Sequence, residues 1–468
     1  MKKRKTGLLG VCPIGKFVFS HEDAVRQKKK IFKKLDELKI NYVTIEDILP
    51  DGMVRDQKHV DIVVDHFNKE KIDALFIPHC NFGTEGAVGM IAKKLSVPTL
   101  LWGPRDEAPL PDGSRLRDTL CGMFASSKVL HKLRVPFTYI ENCIVDDKQF
   151  IEGISLFIRA AAVAKAIKTM RIGQIGVRID FFWTTIINES ELLDKFGIQI
   201  LPIDMVDFIN AVKNRAKNDR KKYQEELKEI KKWLTVEGLK SDEPLLNSLA
   251  SRDELLMLVE EQNLDAISIK SFSSIQDELG GGGGLGGSMV CDRIPLIDES
   301  DIHGAVSSVL IEAASKTNEP SFFPEFVIRH PENNNAALLW HGNAPLSLRE
   351  PGSKVKMSPP WILKGLPPDS LHFKLKDGPI TLCRFDGDYG EYILGVGQCY
   401  TTKGPRTQEF YAWVEVDDWP HWERTMIEGP YIHHLSAVYD HCANVLDEAC
   451  KYIPGLKVQR FEKNISEN

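Results

Sequence analysis

The first part of the chain alternates short apolar runs with longer amphipathic segments. Between Thr6 and Thr169, each apolar run has the length of a buried strand, and each segment after it carries apolar residues at helical spacing. This alternation is typical of βαβ units, which form a parallel sheet. The predicted strands are Gly7–Val11, Tyr42–Ile45, Ala74–Pro78 and Thr99–Trp102, and the predicted helices are Glu22–Leu38, Gln57–Lys69, Glu85–Leu95 and Asp146–Thr169.

Two loops of this region stand out. Residues Pro78–Glu85 lead from a predicted strand into a predicted helix, and ligands of open parallel sheets collect at such strand ends. The segment Gly103–Asp118 is rich in proline, glycine and charge, which predicts a long surface loop. Long ordered loops often carry function, although a solvated connector is an equal alternative.

A second α/β pattern begins at Ile172–Arg178. The charged stretch Arg215–Trp233 interleaves both signs, which favours a solvated helix over a nucleic-acid surface. Ser300–Ser315 has helical spacing with Ser300 or Asp301 as its cap, so Glu299 lies where a strand gives way to a helix. The further predicted strands are Ile198–Pro202, Ala266–Ile269 and Ile294–Ile297.

A glycine-rich run lies just before Glu299. The glycines between Gly280 and Gly287 are interrupted by Leu285 alone, and they match neither a P-loop nor a dinucleotide-binding fingerprint. We therefore predict a loop over Ser271–Gly287. A flexible linker and a mobile flap beside the carboxylates are both open interpretations.

The pattern changes after Pro351, where proline and glycine become frequent and short runs alternate apolar with polar residues. This predicts a β-rich sandwich or barrel, followed by a closing helix at Leu435–Ile453. The predicted fold class is α/β, with two successive doubly wound α/β domains and a β-rich C-terminal domain. The predicted domains are 1–170, 171–350 and 351–468, and the β-rich domain contains the predicted strands His372–Leu375, Thr381–Phe385, Tyr392–Gln398 and Phe410–Glu415.

Composition excludes several classes of protein. A hydrophobic share of 43% and a charged share of 27% are typical of a soluble globular chain. A net charge of −6 argues against nucleic acid as a partner, and no apolar stretch reaches the ~20 residues of a membrane span. The nine cysteines are scattered without a CxxC pair, which argues against a disulfide framework or a zinc ribbon and favours the reducing cytoplasm.

Four residues form a candidate metal site. Glu299, Glu325 and His341 each lie in or just after a short apolar run, and His434 follows near the end of the chain. Carboxylate oxygens together with imidazole nitrogens suit manganese, iron, cobalt or zinc better than calcium. The adjacent His433 and His434 point to opposite sides if the chain is extended there, so we expect one of them to face the metal.

These residues resemble the motifs of L-arabinose isomerase and L-fucose isomerase. The resemblance rests on the Ile297–Asp301 motif, the later Glu325, the apolar run ending in His341, and the His-His pair after Gly429. The resemblance also covers the N-terminal part of fucose-isomerase-like proteins, through Trp102–Glu107 and Arg115–Gly122.

The resemblance implies a sugar ketol-isomerase that uses a divalent metal such as Mn2+, or Co2+, Fe2+ or Zn2+. It implies Glu299, Glu325 and His434 as ligands, whereas His341 matches a ligand of the arabinose branch alone, which leaves the sugar undetermined. It further implies a homo-oligomer, a trimer or hexamer, with a small unphosphorylated sugar as substrate. The residues assigned to substrate contact are His433, Trp183, Asn343 and Arg105. Trp183, Trp340 and Trp422 are candidates to cover the sugar's apolar face, but core packing is the favoured interpretation of each tryptophan.

The residues fit the chemistry of such an enzyme. An aldose and a ketose interconvert through a cis-enediol, and Glu299 and Glu325 can serve in turn as ligand and as base or acid. Two alternatives remain at this point. Tandem α/β domains also form sugar-binding proteins without catalysis, and paired carboxylates also hydrolyse glycosides without a metal.

Overall fold

The computed structural model describes residues 7–281, 283–362 and 365–463. The chain divides into two compact units. One contains the described residues up to Lys165 together with Asp447–Pro454, and the other contains Ala166–Leu446 and the described residues from Gly455 onwards. The domain ranges 1–170, 171–350 and 351–468 stay a prediction.

The N-terminal unit is built on a five-stranded parallel sheet in the order β2-β1-β3-β4-β5. The predicted strands and helices are confirmed here to within a few residues, because each has an uninterrupted apolar run or stripe to bury. Its elements are β1 (Leu9–Val11), α1 (His21–Glu37), β2 (Tyr42–Thr44), α2 (Val60–Glu70), β3 (Ala74–Pro78), α3 (Glu85–Leu95), β4 (Thr99–Trp102), α4 (Thr119–Lys132), β5 (Thr138–Tyr139) and α5 (Lys148–Lys168).

The segment between β4 and α4 has no helix or strand, so the long loop predicted over Gly103–Asp118 is confirmed. Buried polar contacts hold the C-terminal segment of the unit. The Tyr452 hydroxyl lies 2.6 Å from the Thr138 hydroxyl and donates to the Thr99 carbonyl oxygen at 3.1 Å.

The second sheet has four parallel strands in the order β10-β9-β6-β7. Together the two sheets confirm the α/β class, and α12 packs against this second sheet through β6, β9 and β10. The elements of the region are β6 (Arg171–Ile175), α6 (Glu189–Phe196), β7 (Gln199–Ile203), α7 (Met205–Asn218), α8 (Arg220–Ile230), β8 (Leu234–Val236), α9 (Glu243–Gln262), β9 (Ala266–Ile269), α10 (Ser274–Leu279), α11 (Gly284–Cys291), β10 (Leu296–Ile297) and α12 (Ile302–Ala314).

The loop predicted over Ser271–Gly287 is wrong, because two short helices, α10 and α11, occupy most of it; Gly282 lies outside the described residues. The glycines serve close packing. A Cβ at Gly284 would lie 1.7 Å from the Asp369 carbonyl oxygen, and one at Gly286 would lie 2.0 Å from that of Ser248. With Leu285 fully buried, α11 is part of the core rather than a mobile flap.

The single helix predicted over Arg215–Trp233 is also wrong, since it is divided between α7 and α8 at Asp219. Each helix turns its own apolar stripe to the core. The stripe of α7 includes Phe208 and Val212, and that of α8 includes Tyr223 and Leu227.

The third sheet is mixed and has ten strands, which confirms a β-rich C-terminal region. Its main path runs β18-β15-β16-β17-β14-β13-β8; β12 pairs with β17 and β11, and β19 pairs with β16. The elements after α12 are β11 (Glu325–Arg329), β12 (Ala336–His341), β13 (Val355–Ser358), β14 (Ser370–Lys374), β15 (Pro379–Asp388), β16 (Glu391–Thr402), β17 (Phe410–Glu415), α13 (Trp419–Glu428), β18 (Ser436–Val438), α14 (Ala443–Cys450) and β19 (Leu456–Arg460).

The helix predicted over Leu435–Ile453 is wrong in its first half. There the chain forms β18, which pairs with β15, and only the second half forms α14. The hydroxyl of Ser436 donates to the Gly304 carbonyl oxygen at 3.1 Å and lies 2.7 Å from the Ser308 hydroxyl, which ties β18 to α12. These long-range partners override a helical spacing of apolar residues.

Within the described ranges, no helix combines the length and apolarity needed to cross a membrane. The nine cysteines are free thiols.

Candidate metal centre

A tight turn at the carboxyl end of β10 presents Glu299. The Asp301 N–H donates to the Asp298 carbonyl oxygen at 3.4 Å, and the two central residues have positive φ, 64° at Glu299 and 57° at Ser300. Such backbone is uncommon away from glycine and concentrates at functional sites. A hydrogen bond of 3.2 Å from the Glu299 N–H to the Ser271 hydroxyl helps to hold the turn.

The register of the third sheet brings Glu325 to the same place as His434. Glu325, at the start of β11, lies opposite Trp340 of β12 and forms an antiparallel bridge with His434. Because directly opposite residues of antiparallel chains share a face, the three side chains stand side by side. The Leu435 N–H, which donates to the Pro324 carbonyl oxygen at 2.8 Å, fixes this alignment.

His434 lies between the two glutamates. Its Nε2 atom is 3.1 Å from Oε2 of Glu299 and 3.8 Å from Oε2 of Glu325. The neighbouring His433 has its Nε2 atom 3.3 Å from Oε2 of Glu325, and its side chain is 51% exposed, against 1% for His434. His434 is therefore the inward-facing member of the pair.

The predicted ligand set is divided between two overlapping groups. One consists of Glu299, His341 and His434, and the other of Glu325, His433 and His434. Within each group, one ligand atom per residue lies within 4.8 Å of the others. His434 is common to both, so it is the centre of the arrangement.

His341 is buried at the end of β12. Its Nδ1 atom lies 3.6 Å from Oδ2 of Asp298 without a hydrogen bond, and its ring centroid is 5.6 Å from that of His434. Phe323 packs against both histidines, at 5.2 Å and 5.0 Å. Burial and the nearby His434 hold the pKa of His341 well below its usual value, so its imidazole stays neutral, as a metal ligand must be.

A buried charge network holds His434 from behind. Its Nδ1 atom is 3.0 Å from Oδ2 of Asp301, which also accepts a hydrogen bond of 2.5 Å from Nη1 of Arg384. Arg384 also donates from Nε to Oδ2 of Asp386 at 2.9 Å, and Oδ1 of Asp386 lies 3.3 Å from Nδ1 of His303. Burial alone would raise the pKa of Asp301, but Arg384 and His434 hold it well below its usual range.

The electrostatics at Nε2 of His434 favour a positive charge. Burial lowers the pKa of His434, but the hydrogen bond to Asp301 and the closeness of Glu299 outweigh it and raise the pKa to about 9. The Nε2 atom is buried and has no hydrogen bond of proper geometry. A divalent cation in place of its proton would satisfy both carboxylates and the nitrogen, so the donor set fits a transition metal.

Two carboxyl groups of the site titrate near neutrality. Burial raises the pKa of Glu325 to about 7, with Glu299 as a further cause and His434 opposing it. Burial, followed by the charge of Glu299, also raises the pKa of Asp298 to about 7. Perturbed carboxyl groups of this kind concentrate in active sites.

Sequence reasoning missed Asp298, Asp301 and Arg384 as members of the site. Asp301 was predicted only as a helix cap, and it is one: its Oδ1 accepts from the Gly304 N–H at 2.9 Å. A signal for Arg384 was present, because this arginine interrupts the apolar strand β15 between Cys383 and Phe385, and a buried charge requires a partner.

The residues predicted to contact the substrate lie in different places. The Asn343 amide donates to Asp298 at 3.2 Å, Trp183 is 76% exposed after β6, and Arg105 is exposed in the N-terminal unit. Trp340 stands beside Glu325 as described. Trp422 is fully buried, which agrees with the favoured interpretation of core packing rather than with a cover for the sugar.

The chain is similar in sequence to known sugar isomerases. The family described as fucose/sulfoquinovose isomerase, N-terminal domain, matches residues 10–168. Over 381 residues the chain is 24% identical to the sulfoquinovose isomerase of Priestia aryabhattai, covering 80% of each chain. These matches support a fucose-isomerase-like family for the chain.

A second relative extends the comparison. The sulfoquinovose isomerase of Alkalicoccus urumqiensis is 24% identical over 324 residues, which cover 67% of this chain and 68% of the relative. The predicted resemblance is thus confirmed, and the family match and the relatives together indicate an aldose–ketose isomerase.

Proposed function

We propose that the protein is a metal-dependent isomerase of a small unphosphorylated sugar, working through a cis-enediol with Glu299 and Glu325 as its proton carriers. The observation that carries this proposal is the position of His434, whose buried Nε2 faces both carboxylates at 3.1 Å and 3.8 Å. Oxygen and nitrogen ligands converging on a buried point are what a catalytic divalent ion requires.

Glu299, His341 and His434 would hold the ion, with Glu325 as an additional ligand. When bound, a divalent ion such as Mn2+, Co2+, Fe2+ or Zn2+ polarises the two sugar oxygens and holds the charge that develops on them. The assignment of Mn2+ as the first choice follows the resemblance to L-fucose and L-arabinose isomerases.

The two glutamates would move the proton between C1 and C2 of the sugar. Glu325, with a pKa raised to about 7 by burial, is suited to take up and release a proton near neutral pH. Glu299 approaches His434 from another sheet, so the two carboxylates can act from different sides of the substrate. His433, half exposed beside Glu325, would contact the sugar's hydroxyls.

The relatives are named as sulfoquinovose isomerases, and the proposed substrate, a small unphosphorylated sugar such as sulfoquinovose, follows from them. Trp183 keeps its proposed contact with the sugar, and Asn343 would act through Asp298, to which its amide donates. The contact of Arg105 with the sugar stays a prediction from the resemblance.

Assembly and location are further proposals. Val177, Phe181 and Trp183 are exposed apolar residues that follow one strand, and copies of a chain often cover such residues on assembly, which supports a homo-oligomer. The trimer or hexamer follows the resemblance. The nine free thiols support the cytoplasm as location. Light scattering tests the assembly, and a strictly monomeric active enzyme would contradict it.

The test of the function is an isomerisation assay with metal removal. Chelated protein should lose the conversion of sulfoquinovose, L-fucose or L-arabinose to its ketose, and added Mn2+ should restore it. Binding without conversion at every metal would support a sugar-binding protein instead. Release of sugar from a glycoside by the chelated protein would support a glycoside hydrolase.

A further inference from the structure

The four-stranded parallel sheet has a switch in strand order next to the candidate metal centre. In the order β10-β9-β6-β7, the chain passes from β6 to β7 on one side and later enters β9 on the other side. Ligands of open parallel sheets bind in the crevice outside the carboxyl ends of two such strands. The loops at this crevice begin at Gly176 and at Lys270.

These two loops pack against each other and against the turn that carries Glu299. Phe272 of the β9 loop contacts Phe181 and Phe182 of the β6 loop, with ring centroids 6.1 Å and 5.9 Å apart. The Ser300 hydroxyl donates to the Val177 carbonyl oxygen at 3.3 Å, and the Ser271 hydroxyl accepts from the Glu299 N–H at 3.2 Å. Both loops of the crevice thus contact the turn that presents Glu299.

Lys270 lies directly at this junction. It follows β9, its N–H donates to the Ile175 carbonyl oxygen of β6 at 3.0 Å, and its sequence neighbour Ser271 holds the Glu299 turn. A Cβ at Gly176 would approach Cβ of Lys270 to 3.2 Å, so the two loop origins are in close contact. Lys270 as a residue is half-buried, and across residues 7–281, 283–362 and 365–463 its ammonium has no ion-pair or hydrogen-bond partner.

A second cation lies on the facing loop. Arg178 uses Nη1 to donate to the carbonyl oxygens of Ile179, Asp180 and Phe182, at 2.7 Å, 3.3 Å and 3.1 Å. This fixes the guanidinium in the loop. Its Nε and Nη2 atoms have no partner in the part of the chain that the structure describes, so their donors are available to a ligand.

We propose that Lys270, supported by Arg178, binds an anionic group of the sugar substrate, such as a sulfonate, and so selects acidic sugars over neutral ones. The inference rests on the proposed function, because the same sugar must reach Glu299 and Glu325. Lys270 is a half-buried lysine without a protein partner, and it directly precedes the residue that holds the Glu299 turn. Removing such a cation from water is costly unless a ligand supplies the opposite charge. The sulfonate of the relatives' substrate is such a ligand.

The test compares one anionic and one neutral sugar. Sulfoquinovose, which is glucose with a sulfonate in place of its 6-hydroxyl, and glucose itself would be titrated calorimetrically into the full chain with Mn2+ present. Lys270→Met should weaken sulfoquinovose binding by about 10- to 100-fold, the effect of one lost charge-assisted hydrogen bond, and leave glucose binding unchanged. Lys270→Arg should restore most of the affinity.

Two controls separate recognition from folding. Lys221, an exposed lysine of α8 outside the site, gives the matched variant Lys221→Met, which should bind both sugars as the parent does. Thermal melting should show Lys270→Met folded, because its ammonium holds no other group. Parent-like affinity of Lys270→Met for sulfoquinovose, or a parent that binds glucose as tightly as sulfoquinovose, would overturn the proposal.

Failure of this inference differs from failure of the proposed function. If the parent isomerises a neutral aldose with Mn2+ and shows no preference for an acidic sugar, the isomerase stands and the anion site falls. If Lys270→Met loses sulfoquinovose binding but the parent forms no ketose, the anion site stands and the isomerase falls.

Discussion

His434 and Asp301 form a buried pair, with Nδ1 of the imidazole 3.0 Å from Oδ2 of the carboxylate. The carboxylate, already held by Arg384, fixes the proton on Nδ1 and turns Nε2 toward Glu299 and Glu325. Histidine ligands of metals are commonly oriented in this way by a carboxylate on the other ring nitrogen. Asp301 and Arg384 are therefore positioning residues for the candidate metal centre.

The first prediction is that Asp301→Asn weakens Mn2+ binding by about 10- to 100-fold, the usual cost of losing such a partner. The amide oxygen of asparagine can accept a hydrogen bond from His434, but it supplies no negative charge. Isothermal titration of the metal-free protein measures the affinity without any sugar. The control is Asp388→Asn, an exposed change on strand β15, which also carries Arg384. An Asp301→Asn protein with parent-like affinity for Mn2+ would contradict the assigned role.

The second prediction concerns stability. Arg384→Met should lower the free energy of unfolding by about 3 to 5 kcal/mol, because it leaves Asp301 and Asp386 buried without their partner. Urea denaturation measures the change. Arg424→Met, which removes an exposed pair with Glu428, should cost about 0 to 1 kcal/mol. Equal costs for the two variants would show that the buried network does not contribute as described.

The fold class was predictable because each parallel strand of the first two sheets is a separate apolar run. Ala74–Pro78 and Thr99–Trp102, for example, agree with the prediction residue for residue. The glycine run before Glu299 was misread, since the close approach of Asp369 and Ser248 that its helix requires comes from distant parts of the sequence. Pairing of β18 with β15 is non-local in the same way.

The candidate site was predictable in its charged residues but not in its grouping. Glu299, Glu325, His341 and His434 do come together, yet the division into two groups that share His434 depends on the bridge between Glu325 and His434. Asp298 shares the motif of Glu299, but its closeness to His341 depends on how β10 and β12, which belong to different sheets, come together. Register and local backbone cannot be read from residue spacing.

The third prediction is an acid-sensitive stability due to His79, which follows β3 in the N-terminal unit. Burial lowers the pKa of His79 to about 4, and its Nδ1–H donates to the Phe82 carbonyl oxygen at 2.9 Å. Below pH ~6.5 His79 becomes protonated in the unfolded chain, whereas in the folded protein it stays neutral down to about pH 4. The contribution of His79 to the free energy of unfolding is thus complete above pH ~6.5, and it falls by about 2 kcal/mol from pH 7 to pH 5.

The measurement for His79 is the free energy of unfolding in urea at these two pH values. His433 and His341, whose pKa values are also lowered, add to the slope, so the informative quantity is the difference between the parent and His79→Gln. The glutamine amide can still donate to Phe82 but does not titrate. An identical pH slope in the two proteins would refute the role of His79.

The fourth prediction tests the proton carrier itself. If Glu325 carries the proton between C1 and C2, Glu325→Gln should lower kcat by about 10²- to 10⁴-fold beyond any loss of metal, which is the usual contribution of a general acid–base group. Metal content must therefore be measured in the same preparation. Parent turnover in deuterated water should leave deuterium on the product carbon, whereas a hydride shift would leave none.

Glu332→Gln is the matched control for this change, because Glu332 is exposed in the turn between β11 and β12, close in sequence to Glu325. Its turnover and its deuterium incorporation should equal those of the parent. The pKa of Glu325 adds a second readout in the metal-free protein. Burial raises this pKa to about 7, so an NMR titration of the side-chain carboxyl groups should show one group fewer titrating there in Glu325→Gln than in the parent. A metal-loaded Glu325→Gln protein that isomerises at the parent rate would show that the proton travels by another route.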